Sequence, residues 1–90
     1  MTLQDALFNW LQIKIVSDAR PDDFAAKETL DFFELILTED HQLTSFRIAA
    51  EDATMIHVQY EAGGKSKKQL FDLESSRQLL ADIESNPKYA

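Results

Sequence analysis

The sequence predicts an α+β domain in the order ααβββα: an N-terminal helical hairpin, a three-stranded antiparallel meander and a C-terminal helix. Three observations carry this. Apolar residues recur at helical spacing as far as about Thr38, the period switches to two from Leu43 to Phe71, and helical spacing returns from Ser76 to Ile83. Ninety residues supply one core, so 1–90 is read as a single globular domain with a short flexible tail from about Asn86.

The first helix opens at Thr2, with Asp5 three residues on, where a capping box more often has Glu or Gln. Leu3, Leu7, Trp10 and Leu11 share one stripe. Leu11-Gln12-Ile13-Lys14-Ile15 alternates as a strand would, but no Gly or Pro interrupts the chain before Pro21, which favours a helix to about Ala19. Lys14 falls among apolar residues, and is expected to snorkel to the edge or to meet a carboxylate.

Pro21 suits the first turn of a second helix, Asp22 and Asp23 complement its positive end, and the helix extends to about Thr38. Ala25, Ala26, Thr29, Phe32, Phe33, Ile36 and Leu37 form its expected core face, with Phe32, Phe33 and Ile36 at the centre. Lys27, Asp31 and Glu34 fall on the solvent side. The short Ser17 to Pro21 connection makes the two helices an antiparallel hairpin.

Phe46 and Ile48, then Ile56, Val58 and Tyr60, alternate with polar neighbours and read as the first two strands, joined by a turn at Glu51-Asp52-Ala53. Gly63-Gly64 supplies the positive φ of a tight hairpin into a third strand, Ser66 to Phe71. Lys67 and Lys68 there look like charges that protect an exposed sheet edge. Ser75-Ser76-Arg77-Gln78 reads as a second capping box, opening a short helix whose stripe is Ser76, Leu79, Leu80 and Ile83.

Net charge is −7, and it is uneven: residues 1–42 hold −6 and residues 43–90 hold −1. Such a balance opposes phosphate backbones and anionic headgroups, so neither nucleic acid nor membrane is an expected partner. Cysteine is absent, which removes thiol catalysis, disulfides and Cys-containing zinc sites. The start Met1-Thr2-Leu3-Gln4-Asp5 lacks a basic, then apolar leader, so the expected location is the cytoplasm.

Motifs for chemistry fail on spacing. Gly64-Lys65-Ser66 matches the end of a phosphate-binding loop, but Gln59 stands where the loop needs its first glycine, and a strand follows rather than a helix. His41 and His57 are too far apart in sequence to suggest a metal-ligand spacing. The carboxylates of the second helix read as a solvated face, and Ser75 and Ser76 as capping residues. No catalytic residue, cofactor or metal is therefore expected. In size and composition the chain resembles the small cytosolic proteins common in bacteria, which implies no site.

What remains is an excess of apolar residues on the two N-terminal helices, beside concentrated negative charge. Phe8, with Ile15, flanks the first stripe, while Phe24 and Leu35 lie away from the second. Phe8, Phe24, Asp31, Glu34 and Leu35 are the expected contact residues of a protein-interaction or regulatory module, acting on a protein partner or on a second copy as a homodimer. Two alternatives compete. One is a small-molecule binder or minor enzyme with a pocket between sheet and helices, using His57, Tyr60 or Arg47. The other is an acidic mimic of nucleic acid.

Overall fold

The computed structural model describes residues 1–86, so the expected tail beyond Asn86 lies outside the described residues. Elements follow in the expected order: α1 (Leu3–Ala19), α2 (Phe24–Glu39), β1 (Leu43–Glu51), β2 (Met55–Ala62), β3 (Lys65–Asp72) and α3 (Leu73–Ser85). Among the described residues no helix is long and apolar enough to cross a membrane.

Thr2 caps α1 as expected, its hydroxyl accepting the Asp5 N–H at 3.1 Å. The helix continues through the ambiguous stretch to Ala19. Its Ala6, Leu7, Trp10, Leu11, Ile13 and Val16 are all buried, because α1 packs against both α2 and α3 and its side chains join those of the sheet in one core. A helix covered on several sides needs apolar residues all round, which explains why Leu11 to Ile15 did not keep a clean helical period. Lys14 reaches the edge and meets Asp18 one turn later at 3.1 Å.

The second helix begins later than Pro21 suggested. Pro21 sits in the turn, and Asp23 is the cap: its Oδ1 accepts the Ala26 N–H at 3.0 Å while Oδ2 accepts from Arg20 Nε at 3.2 Å. The face of α2 also differs from expectation. Ala26, Leu30 and Leu37 are buried, Phe33 and Ile36 are half-buried, and Phe32, expected in the core, is 58% exposed. At about 100° per residue, Phe32 lies about 200° from Leu30, so the two cannot both face α1. Apolar residues surround α2, and two stripes sharing Ala26, Phe33 and Leu37 were compatible with its sequence. Trp10 helps to set the rotation: its indole N–H donates to Glu34 Oε2 at 3.2 Å, which draws Glu34 inward from the solvent side expected for it.

The strands form one antiparallel sheet in the order β1-β2-β3. Phe46 faces Tyr60, Ile48 faces Val58 and Ile56 faces Phe71, and these pairs line the side covered by the helices. Trp10 meets Phe46 edge-on with centroids 5.3 Å apart, and Phe8 meets Phe71 at 5.7 Å. Gly63 and Gly64 take φ of 58° and 77°, as the tight turn required. β3 is an edge strand and carries Lys65, Lys67 and Lys68.

Strand β3 passes straight into α3, so the cap is Asp72 rather than a box at Ser75 to Gln78. Asp72 accepts the Ser75 N–H at 2.8 Å, and Ser76, already inside the first turn, is buried with its hydroxyl donating to the Asp72 carbonyl at 2.7 Å. Leu79, Leu80 and Ile83 pack against the core as expected.

Candidate functional site

Burying Ala26, Leu30 and Leu37 against α1 leaves the opposite face of α2 uncovered. Phe24 is 74% exposed and Leu35 55%, and with Phe32 they form an apolar row on that face. Glu28 and Asp31 lie between its ends, both exposed. Residues 22–40 hold seven acids and one base, a net −6 against −7 for the whole chain, so nearly all the net charge is concentrated on this helix and its flanks. At its N-terminal end a shallow groove of about 410 Å³ runs between Pro21, Phe24, Lys27, Glu28 and Asp31.

Asp23 borders the same groove with its carboxyl below the usual range, held there by the Ala26 N–H and the Arg20 guanidinium. Its charge is thus tied to capping. Asp22, Glu28 and Asp31 carry the outward field at this end of α2.

The expected contact residues divide. Phe24, Asp31 and Leu35 share the exposed side of α2. Phe8 packs half-buried on Phe71, and Glu34 is half-buried with its carboxylate accepting the Trp10 indole N–H, so neither lies on that row. Phe32 was missed. The Leu30 position was the available signal, since a core leucine there turns Phe32 outward.

A second polar group lies on the outer face of the sheet, opposite the helices. Arg47 Nη2 donates to Gln59 Oε1 at 2.9 Å, and Gln59 Nε2 donates to Ser66 Oγ at 2.8 Å, a ladder across all three strands. His57 Nε2 lies 2.9 Å from Asp52 Oδ2. That contact and the Thr54 and Met55 N–H groups hold the Asp52 carboxyl well below the usual range. Tyr60 points to the buried side instead, so strand alternation places it on the opposite side of the sheet from His57 and Arg47. Gly64-Lys65-Ser66 is the hairpin turn and the start of β3. Among the described residues no group of three or more His, Asp or Glu is placed to hold a metal.

No protein family, curated protein or solved structure matches this chain.

Proposed function

We propose that this chain is a protein-binding module that works through the outward face of α2. The observation that carries this reading is the exposure of Phe24, Phe32 and Leu35 together on one side of a helix that buries Ala26, Leu30 and Leu37 on the other. Exposed single apolar residues are ordinary; a row of two phenylalanines and a leucine among carboxylates is what a contact surface with an apolar centre and a charged surround requires. The interleaved apolar residues favour such a contact over mimicry of an uninterrupted row of phosphates.

Acidic charge would steer a partner and apolar area would hold it. The test is paired capture from native extract, using the intact chain, a Phe24→Ser/Leu35→Ser variant, and a Leu70→Ser variant on the outer sheet face, with circular dichroism to establish that all three fold. A partner held by the intact chain and by Leu70→Ser but lost from the α2 variant supports the reading. Equal recovery on all three removes α2 from the function.

A further inference from the structure

We infer that the α2 face takes a basic amphipathic helix of another protein and is built against pairing with a second copy of itself; this rests on the protein-binding reading above. The order along the exposed face is apolar, acidic, apolar: Phe24, then Glu28 and Asp31, then Phe32 and Leu35. Phe24 and Leu35 are separated by about 16 Å along the axis, three helical turns.

Symmetry makes that order informative. A two-fold axis matches a patch with itself, so residue i meets residue j while j meets i. If two α2 helices pack antiparallel with Phe24 on the second copy's Leu35, the same register sets Glu28 on the second copy's Asp31. If they pack in parallel about the axis, Glu28 meets Glu28 and Asp31 meets Asp31. Both arrangements bring four carboxylates together at the centre of the contact, within two segments that each carry −6. Like charges so placed cost binding energy and slow approach.

A basic helix has the opposite relation to every part of the row. Apolar residues three turns apart would cover Phe24 and the Phe32–Leu35 pair, and Lys or Arg between them would face Glu28 and Asp31. The groove beside Phe24 accepts the stem of one such side chain, with its cation over the ring and near Asp31. An extended segment fits less well. The backbone of α2 is already hydrogen-bonded within the helix, so a strand laid on it would leave its own N–H and C=O groups without partners, whereas a helix satisfies them internally.

The test is calorimetric titration of the full chain with synthetic peptides, together with sedimentation of the chain alone. One peptide is helical, with leucines three turns apart and lysines between. A second has the same composition in scrambled order, a third has proline at two central positions, and a fourth replaces lysine with glutamate. The first is expected to bind, more weakly as salt is raised, and several-fold more weakly to a Glu28→Gln/Asp31→Asn variant; the others are not. The same double variant, freed of its central charges, is expected to self-associate more than the unaltered chain. Equal binding by the proline peptide overturns the helical occupant but leaves the α2 reading intact. An unaltered chain that dimerises with Phe24, Phe32 and Leu35 protected overturns the argument against a second copy. Equal capture of the partner by the intact chain and by Phe24→Ser/Leu35→Ser, by contrast, is the failure of the function itself.

Discussion

Three aspartates show how single residues hold this fold at its corners. Asp23 and Asp72 cap α2 and α3, and Asp52 organises the β1–β2 turn by accepting the Thr54 and Met55 N–H groups at 2.9 and 2.8 Å. Each carboxyl lies below its ordinary range. The main cause is the Ala26 N–H for Asp23, His57 for Asp52 and the Ser75 N–H for Asp72. A lowered carboxyl stabilises the folded chain fully above the unfolded value of about 3.9, and that contribution is lost as pH falls through the lower folded value. Urea midpoints measured from neutral to strongly acid pH are therefore expected to fall at the acid end. Asp72→Asn should lower the neutral midpoint and flatten the acid slope; an unchanged slope would show that the capping charge is not felt. Thr2 was legible as a cap because a helical run followed directly. Asp23 and Asp72 were not, since Pro21 and the Ser75-Ser76 pair offered competing starts, and the deciding side-chain to backbone bonds have no separate sequence signal.

At the scale of elements, the strands were the most legible part. Alternation in β2 and the Gly63-Gly64 pair each admit one reading, and both glycines adopt the positive φ that the turn demands. Gly64→Ala leaves open space around the added methyl group but places an L residue at φ 77°, so an expected loss of about 1 to 2 kcal/mol comes from the backbone alone. A thermal midpoint equal to that of the unaltered chain would contradict that turn geometry. The rotation of α2 was not legible, because apolar residues occur on every side of it and its packing against α1 and β1 selects the buried side. This gives a sharp comparison. Leu37→Ala removes a side chain with no exposed surface and should cost about 2 to 5 kcal/mol, whereas Phe32→Ala, which loses an edge-on contact with Phe33 at 5.3 Å, should cost about 1 kcal/mol or less. Chemical denaturation followed by the single tryptophan, Trp10, reads both; a larger loss for Phe32→Ala than for Leu37→Ala would put Phe32 on the buried face of α2.

At the scale of the whole molecule, the charge asymmetry along the sequence becomes an asymmetry in space. Of the seven acids that give residues 22–40 their −6, Glu28 and Asp31 lie along the exposed apolar row, while Arg47, Lys65, Lys67 and Lys68 lie on the sheet. The excess of apolar residues on the N-terminal helices was visible in the sequence, and Phe24 and Leu35 were placed correctly outside the core. Phe8 and Glu34 were not, because their burial depends on Phe71 and Trp10, distant in sequence and brought close only by the folded sheet and helix layer. The central claim is that the free chain presents Phe24, Phe32 and Leu35 to solvent. A soluble paramagnetic agent, with side-chain proton relaxation followed by NMR as protein concentration is raised, measures this directly. Strong relaxation at these three residues, unchanged with concentration and far above that at Leu30 and Leu37, is the expected result; protection of Phe24, Phe32 and Leu35 in the dilute chain would contradict the account.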